Sequence, residues 1–169
     1  MISFLQAPIY MAKENRNLRM ELFSMNKTST SEYLDLQVKL PKGILIRQFT
    51  EADFPLIKNL YEQEGWMTFI NREVDALQAW KNSTVALVAI DGNNIVGLVR
   101  ALSDGKITTY IAEIIVDINY RGKGIGRALL EVCHNLYPNT RFDLLSSESA
   151  DEFYKSNKFR IVTGFRKSY

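Results

Sequence analysis

Apolar positions along the chain alternate between two periods, and the switches mark out its elements. Ile44-Leu45-Ile46-Arg47 is a short apolar run that predicts a strand. After Thr50-Glu51-Ala52-Asp53, where Thr or Asp can cap a helix, Phe54, Ile57, Leu60 and Tyr61 recur at helical spacing. Asn71 can cap a second helix, with Val74, Leu77 and Trp80 on one side. Three strands follow, Thr84–Ile90, Ile95–Leu102 and Ile107–Val116, joined by turns at Asp91-Gly92-Asn93-Asn94 and Ser103-Asp104-Gly105. Turns this short predict an antiparallel meander. The rest reads as a helix over 124–136 with Ile125, Leu129, Val132 and Leu136 on its buried stripe. A strand Phe142–Leu145, a helix over 148–157 and a closing strand Phe159–Val162 complete it. The expected fold is mixed α/β, a mostly antiparallel central sheet flanked by helices.

Residues 1–42 break this regularity. They carry four methionines, a polar patch at Asn26–Ser31 and a break at Pro41-Lys42-Gly43, with weak alternation over Glu32–Leu40. They are expected to form an appended segment, loosely packed or partly disordered, before a domain over 43–169. Composition narrows the function. The 46% hydrophobic and 24% charged residues are those of a globular chain, and a net charge of +2 points to neither a nucleic-acid nor a membrane partner. Cys133 is the single cysteine, so no internal disulfide or cysteine metal cluster can form, which suits a cytoplasmic setting. No apolar run approaches the roughly 20 residues needed to span a bilayer.

The candidate chemistry centres on Tyr120–Arg127, reading YRGKGIGR, between the longest strand and its following helix. Glycines at 122, 124 and 126 leave backbone N–H groups uncovered at the positive end of that helix, and Arg121, Lys123 and Arg127 add three cations. That combination suits an anion, and a phosphate in particular. A P-loop fails, because Gly126 is followed by Arg127-Ala128. The dinucleotide fingerprint also fails, since its last position falls on Arg127 or Leu129. What fits is R-x-x-G-x-G, as Arg121, Gly124 and Gly126. With Val116 upstream and Leu129-Leu130 after it, this resembles the acyl-CoA loop of the GNAT superfamily of N-acyltransferases. The element order over about residues 44–165 resembles that superfamily too. So does Ala150-x-x-Phe153-Tyr154-Lys155-x-x-x-Phe159, with two departures: Ser147 stands where Asn is usual and Lys158 where Gly is. Tyr61-Glu62-x-x-Gly65-Trp66 is similar to a segment of one branch of small GNAT enzymes.

The resemblance implies acetyl-CoA as cofactor, its diphosphate held by Arg121, Gly122, Lys123, Gly124, Ile125, Gly126 and Arg127. It also implies that the edge at Ile114-Ile115-Val116 splays from its neighbour, binds the pantetheine arm with free backbone groups and faces the thioester oxygen. Ser147 would give that arm one hydrogen bond. Tyr154 would be the general acid that protonates the departing thiolate, the alternative being a tyrosine that packs the last helix. Glu62, Glu64, Trp66 and Phe69 sit where this superfamily shapes its acceptor pocket.

Transfer to an amine requires a neutral nitrogen, and a lysine-like amine with a pKa near 10.4 is almost wholly charged at neutral pH. Glu113 is the acidic side chain within the central strand and is the candidate base. Its alternatives are an outward-facing or salt-bridged residue, or a water path in its place. Tyr110 could contact substrate. His134 should face solvent, Cys133 should fill the core, and no metal site is expected.

These readings converge on an acetyl-CoA-dependent N-acetyltransferase with direct transfer in a ternary complex, acting on a small-molecule or peptide amine. Its rivals are a GNAT-like acyl-CoA-binding sensor without catalysis and a nucleotide-phosphate binder of another kind. With only Phe165–Tyr169 left for a final strand, an unpaired sheet edge would be a reason to form a homodimer.

Overall fold

A computed structural model describes residues 38–167 of the chain. The segment assigned to 1–42, with its weak alternation over 32–40, lies up to residue 37 outside the described residues. Five strands form one sheet in sequence order: β1 (Ile44–Gln48), β2 (Val85–Asp91), β3 (Asn94–Ser103), β4 (Thr108–Val116) and β5 (Arg141–Leu144). The first four pair antiparallel and β5 joins β4 in parallel, as mixed α/β periodicity predicts. Each short turn returns the chain beside the strand it has just left, so spatial order follows chain order.

A 3₁₀ turn over Glu51–Asp53 leads into α1 (Phe54–Gln63), followed by α2 (Met67–Asn71) and α3 (Glu73–Asn82). Phe54, Ile57, Leu60 and Tyr61 of α1 and Ala76 and Trp80 of α3 are buried against the sheet face that carries Val88, Leu98 and Ile115. Side chains alternate along a strand, so the next residues face the other way. Gly97 lies on that second face, where α4 (Ile125–Leu136) packs so closely that a Cβ at 97 would stand 3.1 Å from Ile125 Cγ2. Another 3₁₀ turn, Glu148–Ala150, opens α5 (Asp151–Ser156).

Three expectations are corrected. Asn71 closes the short helix α2 and caps nothing at its N-terminus. That helix escaped a periodic reading because five residues give barely more than one turn. Val74 is 80% exposed, and Ala76 takes the buried place beside Trp80. Phe159–Val162 forms no strand: it joins no ladder of the sheet, and Ile161 and Val162 are exposed. At the start of the first helical turn the threonine alternative holds: Thr50 forms a capping box with Asp53, whose carboxylate accepts from the Thr50 amide at 2.7 Å and from Arg47 at 2.7 Å on both oxygens. Among the described residues no helix is long and apolar enough to cross a membrane.

Candidate active site

The site begins with an irregularity in β4. Pairing with β3 runs from Arg100↔Glu113 directly to Ala101↔Ile111, so Ala112 is an extra residue without a partner there. A bulge of this kind bends a strand and increases its twist. Pairing of β4 with β5 stops at the same level, at Ile111↔Leu144. Beyond it the two chains separate and leave a cleft of about 390 Å³. One wall is the freed edge of β4, from Ala112 to Val116. The other is Leu145, Ser146 and Ser147 with Ala150, Phe153 and Tyr154 from the start of α5. Tyr120, Arg121, Gly122, Ile125 and Gly126 close one end, and Glu64 and Trp66 come in from the α1–α2 joint. The cleft therefore connects the glycine-spaced turn to the hydroxyl-bearing side chains 147 and 154.

The turn itself is shaped by its glycines. Gly122 and Gly124 adopt φ of 75° and 89°, which side chains with a Cβ resist. The first bond of α4 runs from the Ala128 N–H to the Gly124 carbonyl, so the amides before it have no acceptor inside the helix. At Gly126 the constraint is space: a Cβ would stand 3.1 Å from Phe153 Cζ and 3.5 Å from Val116 Cγ2. The helix end can thus approach both cleft walls at once. Arg121 donates from Nε to the Val116 carbonyl at 3.0 Å and pairs through its terminal nitrogen with Glu64. Lys123 lies 4.5 Å over the Tyr120 ring, whose hydroxyl donates to Asp91 at 2.9 Å. Lys123, Gly124 and Arg127 are exposed and do not line the cleft.

Tyr154 is placed by the end of α5. The Phe159 N–H donates to the Tyr154 carbonyl and the Lys158 N–H to that of Lys155, both at 3.0 Å, with Lys158 at φ 66°. This is the paired-bond ending in which the first residue past the cap takes the left-handed conformation. The accompanying apolar contact is also present, as the Tyr154 and Phe159 rings meet edge-on at 5.5 Å. Burial in the cleft pushes the Tyr154 phenol above its ordinary value. The Ser147 hydroxyl lies 3.1 Å from that of Ser149, on the cleft wall.

Glu113 takes the salt-bridged alternative. Its side chain is 2% exposed and is held between Arg100 and Tyr61, at a point where β4 also lines the cleft. Oε1 accepts from Arg100 Nε at 2.7 Å and pairs with the same guanidinium at 2.6 Å, and Oε2 accepts from the Tyr61 hydroxyl at 2.5 Å. The Trp80 indole donates to that hydroxyl at 2.6 Å, and Arg100 reaches the Ser83 hydroxyl at 3.1 Å. Burial, with the Glu113 charge beside it, raises the Tyr61 phenol. Two other expected contacts are corrected: Tyr110 lies below the bulge, beside Leu102 and Asp143, and Glu62 is exposed on α1, so neither lines the cleft. Cys133 is fully buried, and burial lifts its thiol to about 12. His134 is exposed. Sequence reasoning missed Phe153 and Leu145 as wall residues; the helical neighbourhood of Tyr154 was the available signal for the first, and nothing pointed to the second.

Comparison with known proteins accords with this geometry. Residues 82–161 match the acetyltransferase (GNAT) domain family, a span that includes the turn, the cleft walls and Tyr154. No curated protein matches the chain. Among solved structures, a GNAT-family acetyltransferase from Streptococcus pneumoniae is 26% identical, with a TM-score of 0.62 over 75% of this chain and 96% of that one. An aminoglycoside acetyltransferase from an uncultured soil metagenomic sample, in complex with sisomicin, shares the fold at 22% identity and a TM-score of 0.55, over 75% of this chain and 97% of its own. Ard1 from Thermoplasma volcanium does so at 21% and 0.57, over 72% and 85%. Over residues 82–161 the chain matches the GNAT acetyltransferase family, and its fold is that of the solved GNAT-family acetyltransferases.

Proposed function

We propose that this protein transfers an acetyl group from acetyl-CoA to the primary amine of a small molecule, directly and within a ternary complex. The observation that carries this reading is the cleft opened where β4 and β5 part, because it joins an anion-suited turn to a half-buried tyrosine hydroxyl. The residues suit the coenzyme on their own terms. Free amides of 122–127 with Arg121 fit a diphosphate, the absence of a Cβ at Gly126 lets the helix end approach both walls, and the backbone groups of 114–116 that face away from β3, together with Ser147, can hold a pantetheine amide. When bound, acetyl-CoA supplies the activated acyl group and a thiol leaving group.

The chain's own residues do the rest. Backbone N–H groups on the freed edge of β4 stabilise negative charge on the carbonyl oxygen. Tyr154, kept protonated by the burial that raises its phenol, donates its hydroxyl proton to the leaving sulfur as negative charge develops there. Both oxygens of Glu113 already accept hydrogen bonds, so Glu113 acts as a positioning residue that fixes the bulged part of β4. The incoming ammonium loses its proton through water in the cleft before it attacks, and the second proton the nitrogen sheds on forming the amide restores Tyr154.

The same engagement of Glu113 favours a second reading, an acyl-CoA-binding module that performs no transfer. Release of free thiol from acetyl-CoA, measured against a panel of monoamines, diamines and aminoglycosides, separates the two. Amine-dependent release supports the enzyme; coenzyme binding with no release from any amine overturns it in favour of the module. Cys133 will not confuse the assay, since a fully buried thiol lifted to about 12 is protonated and shielded at neutral pH.

A further inference from the structure

Glu64 lines the cleft from the end of α1, beside Trp66, with its side chain 26% exposed. It is paired with Arg121, and Arg121 belongs to the glycine-spaced turn. The guanidinium is held twice: Nε is fixed on the Val116 carbonyl, and the terminal nitrogen faces Glu64. A diphosphate arriving at that turn meets a cation one of whose terminal nitrogens already serves a carboxylate. The two anions compete for that cation, while the Nε bond keeps the guanidinium in place. The stronger anion wins it. A partly buried carboxylate that loses its cation is left poorly solvated until another cation replaces the first.

We propose that Glu64 and Arg121 form an exchangeable pair that couples the two ligand sites: the diphosphate takes Arg121, and the released Glu64 carboxylate holds a cationic group of the acceptor. The nitrogen that attacks must be neutral, so the cation read by Glu64 is a second one. The acceptor class is therefore a di- or polyamine, bound more tightly once the coenzyme is in place. Linkage makes the effect reciprocal, the acceptor tightening the coenzyme by the same factor. This inference rests on the acetyl-transfer reading and adds to it the substrate class and the order of binding.

The probes are coenzyme A, 1,4-diaminobutane and butylamine. Glu64→Gln removes the competitor for Arg121 and is expected to tighten coenzyme A about threefold by calorimetry, the scale of a half-exposed ion pair. In turnover it should raise KM for the diamine about tenfold more than for the monoamine, the scale of one charge-assisted hydrogen bond. With Arg121→Gln as background, Glu64→Gln should no longer affect coenzyme affinity. Unchanged or weakened coenzyme binding in Glu64→Gln, or equal rises in KM for the two amines, overturns the proposal. Failure of the unsubstituted protein to bind coenzyme A would remove the acetyl-transfer reading along with it; normal binding that ignores Glu64 removes the exchange alone.

Discussion

The chemistry proposed for Tyr154 depends on one oxygen, and Tyr154→Phe deletes that oxygen while leaving the ring against Phe159. Loss of a positioned acid is expected to lower kcat by about a hundredfold or more. The Kd for coenzyme A should move by less than about threefold, because the turn that holds the diphosphate is untouched. Equal loss in both would make the tyrosine a packing residue. Burial raises its phenol above the ordinary value of 10.0, so the working protonated form persists through neutral and mildly alkaline solution and fails only as pH climbs past that value. Tyr154 was legible in the sequence because it sits inside a spaced motif on one helix. The partners of Glu113 were not: Arg100 is 13 residues away and Tyr61 is 52, and strand alternation alone does not say which face points to a cleft. Tyr110 was misplaced for a related reason. A single extra residue at Ala112 separates the paired part of β4 from the freed part, and no composition signal marks that bulge.

At the level of elements, apolar runs located β1 to β5 and helical spacing located α1 and α4. The pattern failed at the C-terminal end, where the apolar run Phe159–Val162 resembles a strand but has no pairing partner among the described residues. The cause is local. After α5 the chain turns at Lys158, whose φ of 66° is a conformation better suited to glycine. A residue with a Cβ in that region costs about 1–2 kcal/mol, and glycine returns part of the gain through the unfolded chain at about 0.4–1 kcal/mol. Lys158→Gly is therefore expected to stabilise the protein by about 0.5–1 kcal/mol, a rise of roughly 2 °C in Tm by differential scanning fluorimetry. Lys158→Ala, which keeps the Cβ, should give no such rise. A fall in Tm for the glycine variant would show that the Lys158 side chain contributes more than its backbone costs.

Across the whole molecule, the charges balance to +2, yet they are not equivalent in what they hold together. Lys58–Glu73 and Lys81–Glu51 lie on the surface, where such pairs contribute little. Arg47–Asp53 differs, because it fastens β1 to the start of α1 with both carboxylate oxygens engaged and both side chains mostly buried. Burial alone would raise the Asp53 carboxyl, but the Arg47 guanidinium and the Thr50 amide and hydroxyl outweigh it, so the group titrates below its ordinary 3.8. A carboxylate depressed in the folded state contributes stability that is complete above the unfolded value and is lost as pH falls through the folded one. The window is thus below about pH 4, and neutral solution retains the full contribution. Asp53→Asn should cost about 3 kcal/mol in urea unfolding at pH 7, since it strands a buried guanidinium. As pH falls below 3.8 toward the depressed folded-state value, the contribution is lost progressively and the gap between the two proteins should narrow. Added salt at 0.3 M, roughly the condition for a Debye length of 5–6 Å, should erase surface pairs and leave this gap almost intact. A gap that stays constant from pH 7 to pH 3 would mean that Asp53 stabilises the strand–helix corner by shape alone.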